Sequence, residues 1–372
     1  MSEQKLMKSG ISTDAVKRIC TVLADIIDDF PAQAFQNEAL QGLDELELKQ
    51  RVDHLIAVLN NYLPDDFQKS AAILLQVKQH WDWGDDNDAL SGFAAWPLVD
   101  YVSVYGIDYP QLSLNILKEL TSLFSAEFAI RRFICDHFEL THKTLLNWAK
   151  NPDEHIRRLA CEGIRPRLPW GKRLVVLCKD PSSIFPILEQ LKDDPSLYVR
   201  KSVANNLNDI SKDHPDKVIR LCRQWQHDAS PEREWIIRHA LRSLVKQGRP
   251  DVFPLLGYSE TVNVSINTFS LRNKTVEMGD SLGFELILSS PSTQIQKLVL
   301  DYKIHHVKAN GSTTTKVFKW KNITLHHGQP HSLSKSHPFK IITTRKYYPG
   351  EHAVELLING QSMAYQTFDL VL

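Results

Sequence analysis

Asp153-Glu-His-Ile-Arg-Arg-Leu-Ala160 is the first of three similar stretches in the sequence. The others are Pro195-Ser-Leu-Tyr-Val-Arg-Lys-Ser-Val-Ala204 and Arg233-Glu-Trp-Ile-Ile-Arg-His-Ala240. Their arginines Arg157, Arg200 and Arg238 are 43 and 38 residues apart. Intervals of about 40 residues are typical of HEAT and armadillo repeats, in which helix pairs stack into a solenoid because no pair buries its apolar face alone.

The chain from Thr13 to about Leu256 is predicted to be helical. Apolar residues recur at helical spacing, as the run from Leu46 to Leu59 illustrates, and Pro, Gly and Asp-Pro positions separate the segments. Ile130-Arg131-Arg132 is a half match to the repeat and extends the array upstream. We therefore predict a HEAT-like α-solenoid over residues 1–257.

After Gly257 the pattern changes to short runs in which every second side chain is apolar, as in Phe284-Glu-Leu-Ile-Leu288. Such alternation is typical of half-buried strands, and turn-forming pairs such as Asn359-Gly360 separate the runs. The predicted strands are 262–269, 282–288, 297–306, 315–325, 352–358 and 365–372. These six runs approach the roughly seven strands of an immunoglobulin-like β-sandwich, which we predict over residues 258–372. The predicted fold class is therefore α followed by β in two domains.

The formal net charge of zero conceals an uneven distribution along the chain. Residues 1–130 carry 9 basic and 20 acidic side chains, residues 131–250 carry 23 and 15, and residues 251–372 carry 12 and 9. The repeat region is therefore the basic part. Because exposed charges are screened within roughly 10 Å at ordinary salt, a local positive field can attract a polyanion to a neutral protein.

Composition and cysteine content narrow the class of protein. With 42% hydrophobic and 24% charged residues, the chain is typical of soluble proteins. No apolar stretch is as long as a membrane span, and Met1–Gly10 lacks a secretory signal, so we expect a cytoplasmic monomer. The five cysteines form no CxxC pair and are expected to be buried reduced thiols in helices: Cys20, Cys135, Cys161, Cys178 and Cys222.

A dense group of histidines lies in the β region, but its spacing differs from that of a zinc finger. We expect a solvated strand surface and predict neither a metal nor a cofactor. Glycine-rich nucleotide-binding, zinc-protease and serine-hydrolase motifs are absent, which excludes the enzyme classes that are easiest to recognise. The histidines are His305, His306, His326, His327, His331 and His337.

Three acidic residues in and beside the basic region are the candidates for chemistry. Glu127 precedes the half match, Glu162 follows Arg157 by five residues, and Asp209 follows Arg200 by nine. Helices that carry the repeated arginines line the inner face of such arrays, where ligands bind. A carboxylate among arginines is more often half of a salt bridge, so the pattern alone leaves a structural role and a catalytic role open.

Three blocks of sequence resemble the AlkC branch of the HEAT-like alkylpurine DNA glycosylases. They are LDELELKQRVDHL (43–55), FAAWPLVDY (93–101) and, above all, IRRLACEGIRPRLPW (156–170). Some AlkC members also carry a C-terminal immunoglobulin-like domain. The resemblance implies a DNA repair enzyme that hydrolyses the N-glycosidic bond of cationic alkylated bases, 3-methyladenine and 3-methylcytosine, in duplex DNA and leaves an abasic site.

The resemblance also implies roles for individual residues. The catalytic acids of the family fall on Glu162, Asp209 and Glu127, and its active-site aromatic falls on Trp170. Arg158 and Trp148 are carried over as weaker contacts to the substrate. Phosphate contacts are expected from basic residues of the inner face: Arg157, Arg165, Arg200, Lys201 and Arg238.

This chemistry suits these residue types. A cationic base already leaves readily, so an enzyme gains most by stabilising the sugar as it becomes an oxocarbenium ion, and fixed carboxylates do this while one orients water. Trp170 would attract a cationic base, although core packing beside Pro169 is the alternative. No lysine stands out as a Schiff-base nucleophile, which predicts a monofunctional enzyme.

Two other functions stay open on the residues alone. One is a non-enzymatic HEAT-like scaffold, and the other is a protein that recognises damaged DNA without excising the base. The scaffold does not explain three acids placed where a polyanion would dock. The β domain has several lysines around Asn310-Gly311, so it could contact DNA or act as a solubilising cap. The sequence also does not decide whether the damaged base is flipped out of the duplex or exposed without flipping.

Overall fold

The computed structural model describes residues 6–85, 87–342 and 345–372, which form two compact units. One unit contains the described residues of Met1–Asp213 and Ser230–Ile236 and is helical. The other contains His214–Ala229 and the described residues of Ile237–Leu372, including the β-strands. Within the described ranges, no helix is both long and apolar enough to cross a membrane.

The helical part begins at Thr13 and ends at Leu255, in agreement with the predicted region. Short 3-10 helices at Met7–Gly10, Leu43–Glu45 and Ser91–Ala95 supplement the α-helices. The α-helices are α1 (Thr13–Ile26), α2 (Ala32–Leu40), α3 (Leu48–Tyr62), α4 (Phe67–Leu74), α5 (Val77–His80), α6 (Trp96–Tyr105), α7 (Pro110–Leu120), α8 (Ile130–Asp136), α9 (Phe138–Trp148), α10 (Glu154–Glu162), α11 (Val175–Lys179), α12 (Phe185–Leu191), α13 (Leu197–Ile210), α14 (Pro215–Gln226), α15 (Pro231–Ala240), α16 (Arg242–Lys246) and α17 (Val252–Leu255).

The repeated arginine has the same structural role in two of the three repeats. In each, Nη1 donates hydrogen bonds of 2.7–2.9 Å to the carbonyl oxygens six and five residues earlier. The guanidinium thereby ties the preceding loop to the helix that follows it. The acceptors are Asn151 and Pro152 for Arg157, and Asp194 and Pro195 for Arg200.

Side chains separated by about one repeat in sequence connect successive helices of the array. Helix α10 packs against α9, α12 and α13, and the buried amide of Asn206 on α13 donates to the carbonyl oxygen of Cys161 on α10 at 2.9 Å. Each of these links joins groups 37 to 46 residues apart. The other links are Arg157–Asp194, His142–Ser183, Arg167–Asp213 and Arg233–Asp193.

The strands form two sheets with a shared apolar core, as the alternation predicted. One sheet has the order β1-β3-β6 and the other β2-β8-β7-β4-β5. Neighbours are antiparallel except β2 and β8. The strands are β1 (Ser265–Leu271), β2 (Thr275–Glu277), β3 (Ser281–Ser289), β4 (Gln296–Val307), β5 (Thr313–Leu325), β6 (His331–Pro338), β7 (Gly350–Ile358) and β8 (Gln361–Val371).

Two of these strands, β2 and β6, were not predicted. Strand β2 is three residues long, which is too short to display alternation. In β6 the more buried positions are occupied by His331, Leu333, Lys335 and His337, so polar side chains lie where a strand pattern requires apolar ones. The expectation of a solvated histidine surface is wrong for His337 and for His306, which are both buried.

None of the five cysteines forms a disulfide, as predicted, but they are not uniformly buried. Cys20, Cys161 and Cys222 are buried and Cys178 is half-buried. Cys135, on α8, is exposed, so the prediction of burial is wrong for this residue.

The second unit contains a close approach between two glycines. Gly248 lies after α16 and Gly360 lies in the turn between β7 and β8, both with positive φ. A Cβ atom added to Gly360 would lie 2.2 Å from the Cα atom of Gly248. No side chain fits at this contact, so both positions require glycine.

Candidate active site

The structure brings the three predicted acids into one network of ion pairs. Nη1 of Arg158 lies 2.7 Å from Oε2 of Glu127, and its Nη2 lies 3.5 Å from Oε1 of Glu162. Nη1 of Arg165 lies 2.6 Å from the same Glu162 oxygen, and its Nη2 lies 2.8 Å from Oδ2 of Asp209. Carboxylates and guanidiniums therefore alternate from Glu127 to Asp209.

Two helices and two loops carry the residues of this network. Arg158 and Glu162 are one turn apart on α10, and Arg165 follows in the loop after that helix. Asp209 lies near the end of α13, which packs against α10. Glu127 lies three residues before α8. The network therefore depends on the packing of successive repeats.

Two of the carboxylates are buried and fully paired. Glu162 is 5% exposed and Asp209 is 2% exposed. Oε2 of Glu162 accepts a hydrogen bond of 2.5 Å from the hydroxyl of Ser202, and Oδ1 of Asp209 accepts one of 2.9 Å from Nζ of Lys212. Buried charges are tolerated when they are paired and hydrogen-bonded, which fixes these two carboxylates in place.

Glu127 differs from the other two acids in accessibility. Its Oε2 accepts hydrogen bonds from Ser125 and Arg158, at 2.8 and 2.7 Å. Within the described residues its Oε1 has no hydrogen-bond partner, and the side chain is partly exposed. Glu127 therefore has a carboxylate oxygen that a water molecule or a ligand can approach.

The arginines between the acids keep their charge. Burial opposes ionisation, but the carboxylates of Glu127 and Glu162 outweigh it and raise the pKa of Arg158 above its ordinary value. Burial also lowers the pKa of Arg165, but the carboxylates of Glu162 and Asp209 outweigh this effect and raise the pKa above its ordinary value. The ring of Tyr198 packs over the Arg158 guanidinium, 4.7 Å from ring centroid to Cζ. Both arginines are therefore permanent, positioned cations.

Trp170 is exposed and lies five residues after Arg165 in the sequence. Its side chain is 61% exposed, so core packing against Pro169 does not account for it. Its backbone has a φ of 61°, in the left-handed region that bulky residues avoid. Such strain costs on the order of 1–3 kcal/mol and is found mainly at functional sites.

Arg131 holds the loop that carries Trp170. It is 1% exposed, and its Nη1 donates to the carbonyl oxygens of Gly163 and Arg165 at 2.9 and 2.8 Å. Its Nε donates to the carbonyl oxygen of Lys172 at 2.6 Å, so one guanidinium ties both ends of the loop. Burial lowers the pKa of Arg131 to about 10. Three carbonyl acceptors need the several donors of a guanidinium.

The remaining predicted site residues lie in different surroundings. Trp148 is buried at the end of α9, which favours core packing. Arg157 pairs with Asp194 through two hydrogen bonds, so its guanidinium is already occupied by protein acceptors. Lys201 and Arg238 are exposed. The roles of all these residues in substrate or DNA binding stay predictions.

Four residues of the site were not predicted. They contact predicted residues through hydrogen bonds or stacking. Three of them lie 34 to 40 positions from the residue that they contact, and Lys212 lies three positions from Asp209. The arginine of the half match, for example, was interpreted only as part of the repeat. These residues are Ser202, Tyr198, Lys212 and Arg131.

The described part of the chain holds no group of three or more His, Cys, Asp or Glu side chains that could bind a metal ion. Glu162 and Asp209 are paired with arginine, lysine and serine donors.

Comparison with known families agrees with the fold and the site. Residues 124–244 match the family model described as DNA alkylation repair enzyme, and this range includes all three acids. Residues 265–372 match the model described as uncharacterised protein YhaZ, C-terminal Ig-like domain. The chain therefore combines the helical array of a DNA alkylation repair enzyme, which contains the acid network, with a C-terminal immunoglobulin-like domain.

Two individual proteins are similar over most of their length. The uncharacterized protein YhaZ of Bacillus subtilis (strain 168) is 38% identical over 322 residues, which is 87% of each chain. The structure of the Pseudomonas fluorescens alkylpurine DNA glycosylase AlkC, bound to DNA containing an abasic site analog, superposes with a TM-score of 0.92 and 36% identity, over 99% of this chain and 100% of that chain. The chain belongs to the AlkC family of alkylpurine DNA glycosylases, as the sequence resemblance predicted.

Proposed function

We propose that the protein hydrolyses the N-glycosidic bond of cationic alkylated bases in duplex DNA, with 3-methyladenine and 3-methylcytosine as substrates, and leaves an abasic site. The observation that carries the proposal is the convergence of Glu127, Glu162 and Asp209 in one network. The P. fluorescens relative was bound to DNA containing an abasic site analog, which resembles the product of such a reaction.

The acids act on the sugar rather than on the base. A cationic base leaves without protonation, so the barrier falls when negative groups are already positioned near the developing oxocarbenium ion. Glu162 and Asp209 are suited to this because their partners hold them in fixed geometry, so little reorganisation is needed during the reaction. Arg158 and Arg165 offset part of their charge and align it.

We assign to Glu127 the role of positioning and deprotonating the attacking water. Its Oε1 is the carboxylate oxygen of the network that has no protein partner among the described residues. A carboxylate at hydrogen-bond distance can orient a water molecule and accept its proton as the new C–O bond forms. Arg158 and Ser125 hold the other oxygen and so aim the free one.

Trp170 selects for charge on the base. An exposed indole face attracts a cation by about 0.5 to 2 kcal/mol more than a neutral ring of similar shape. The loop held by Arg131 presents the indole to solvent instead of burying it. Exposed cations such as Lys201 and Arg238 would contact phosphates without reading sequence, as repair of scattered lesions requires.

Release of free methylated base from alkylated duplex DNA tests the proposal. Full-length protein in excess over duplex should release 3-methyladenine and 3-methylcytosine, detected by chromatography with mass spectrometry, and should leave alkali-labile abasic sites. Retention of both bases by DNA that the protein demonstrably binds would favour damage recognition without excision. Absence of both release and DNA binding would favour the scaffold function.

A further inference from the structure

The β-sandwich has an open side between two edge strands. Strand β5 is the outer strand of the five-stranded sheet and β6 is the outer strand of the three-stranded sheet. Residues of both strands and of β4 line a cavity of about 410 Å³. This volume lies within the range of small-ligand sites, and none of the lining residues belongs to the acid network.

The cavity is lined by four cations and by no carboxylate among the described residues. Lys316 lies on β5, Lys335 lies on β6, and Lys340 and Arg345 follow β6. None of the four is ion-paired within the part of the chain that the structure describes. Unpaired cations around a concave surface attract an anion that can contact several of them at once.

Aromatic rings form the apolar part of the same cavity. Tyr302 on β4 and Phe318 on β5 stack with ring centroids 5.3 Å apart, and Tyr347 lines the wall. Nζ of Lys316 lies 5.3 Å from the centre of the Phe318 ring, and Nζ of Lys335 lies 6.0 Å from that of Tyr302. Flat apolar surface and positive charge therefore occur together.

A buried histidine supplies unused hydrogen-bonding groups. His306 lines the cavity and is 3% exposed, and neither of its ring nitrogens has a partner among the described residues. Burial, followed by the charges of Arg345 and neighbouring histidines, lowers the pKa of His306 to about 3, so the ring is neutral. A neutral imidazole offers one donor and one acceptor to a ligand with a polar edge.

We propose that this cavity binds one unstacked nucleotide, with its phosphate among the lysines and Arg345 and its base against the aromatic rings and His306. Inorganic phosphate would use the cations but leave the rings and the histidine without a role. A neutral aromatic ligand would leave four cations unused. A nucleotide uses all three features, and its source is either free mononucleotide or an unpaired position in a DNA strand.

The competing explanation is protection of sheet edges. Inward-facing lysines on edge strands discourage pairing with other chains, and Lys335 lies on the more buried face of β6 with His337. That role requires no ligand, no aromatic wall and no unpaired histidine. The two explanations differ in whether the cavity binds anything.

Isothermal titration calorimetry on the full-length protein separates them. The probes are dAMP, dTMP, inorganic phosphate and an unmethylated oligothymidylate, each at low salt. The variants are the double change Lys316→Gln with Lys335→Gln, which removes cations, and Phe318→Leu, which keeps apolar volume but removes the ring. Lys321→Gln is the matched control because Lys321 is exposed on the same strand and does not line the cavity.

We expect both mononucleotides to bind, and to bind on the order of tenfold more tightly than phosphate, because stacking and hydrogen bonds add to charge. Both cavity variants should weaken nucleotide binding on the order of tenfold, whereas Lys321→Gln should not. Oligothymidylate binding that is tighter than dTMP and sensitive to Phe318→Leu would identify a DNA strand as the source, and equal affinities would identify free nucleotide.

Three outcomes overturn the proposal: no nucleotide binding, phosphate binding as tight as nucleotide binding, or equal losses in the cavity variants and in the control. Melting temperatures of all variants establish that they are folded. Base release by the acid network is measured on the same proteins, so failure of this proposal leaves the proposed glycosylase activity separately tested.

Discussion

Arg165 holds the buried carboxylate of Asp209 at 2.8 Å, across 44 residues of sequence. The same guanidinium also contacts Glu162 at 2.6 Å. It therefore joins two repeats of the helical array and two of the three candidate catalytic acids. Any change to either acid acts on charge at the site and on the packing of the repeats together.

Glu162→Gln and Asp209→Asn are expected to lower base excision by orders of magnitude while DNA affinity holds or improves, because a negative charge near phosphate is removed. Each change also breaks a buried ion pair and should destabilise the protein by about 3–5 kcal/mol. Single-turnover excision and equilibrium DNA binding, both measured well below the melting temperature, check the two effects separately.

The matched control for Asp209→Asn is Asp213→Asn. Asp213 pairs with Arg167 across a similar sequence distance, but both side chains are more exposed. This control should keep excision close to that of the unchanged protein. If activity in the buried variants fell only as far as their folded fraction, the carboxylates would be structural.

Trp170→Gly is expected to leave the melting temperature unchanged or higher, because glycine adopts a φ of 61° without strain. Excision of a cationic base should fall by roughly 2- to 30-fold, the equivalent of the cation–π attraction. Trp83→Gly, at another exposed tryptophan, should not affect excision. A parallel fall for a neutral damaged base would contradict selection by charge.

Arg131→Lys is expected to reduce excision more than it reduces DNA binding. Lysine cannot reach the three carbonyl oxygens that the guanidinium contacts, so the loop carrying Trp170 loses its tie. Arg132→Lys at the exposed neighbouring position is the control. Equal effects of the two changes would indicate that the loop is held by other contacts. The difference in fluorescence quenching between proteins with and without Trp170 would report the exposure of the loop.

No covalent enzyme–DNA adduct is expected when borohydride is added during the reaction. Lys212 contacts the acids, but its Nζ is 2.9 Å from Asp209, and a paired ammonium is a poor amine nucleophile. Product strands should remain uncut until alkali is added. Borohydride trapping that disappears in Lys212→Gln would show instead that the enzyme forms a Schiff base.

The β-sandwich is expected to lose stability as the pH falls from 7 to 5. An unfolded histidine has a pKa near 6.5, whereas burial lowers the pKa of His306 to about 3 and that of His337 to about 4. Below pH 6.5 and above these lowered pKa values, the histidines of the unfolded chain bind protons that the same histidines of the folded chain do not. The free energy of unfolding should therefore fall by roughly 1.4 kcal/mol per pH unit and per histidine below pH 6.5.

Thermal melts of His306→Phe test this assignment. The variant should lose less stability between pH 7 and pH 5 than the unchanged protein, because one of the titrating groups is gone. His326→Phe, at an exposed position, should retain the full pH dependence. Identical pH profiles for all three proteins would show that buried histidines do not govern the acid response.

Periodicity was sufficient to predict the architecture. The helical region begins at Thr13 as predicted, and six of the strands overlap the predicted runs, although β1 begins three residues later and β8 four residues earlier than predicted. Strand β6 was missed because its inward positions carry histidine and lysine, which line a cavity instead of a core. A rule based on apolar alternation does not detect such a strand.

The sequence predicted the candidate site less completely than it predicted the fold. The acids were proposed through family resemblance, since a carboxylate among arginines has no distinguishing pattern. The repeated arginines were interpreted as phosphate contacts, yet Arg157 and Arg200 bind loop carbonyls of their own repeats. Partners such as Ser202 and Glu162 are 40 residues apart and meet only through helix packing, which local periodicity does not encode.

The contact between Gly248 and Gly360 limits how the molecule can be divided or recombined. The sequence change at Gly257 suggests a natural point for excising or exchanging the β region, but a cut there would remove a backbone surface on which the β7–β8 turn rests. A transplantable module would have to begin upstream of Gly248. Grafting this sandwich onto another helical protein would then succeed only where the recipient has a glycine with positive φ at the junction, as Gly248 does.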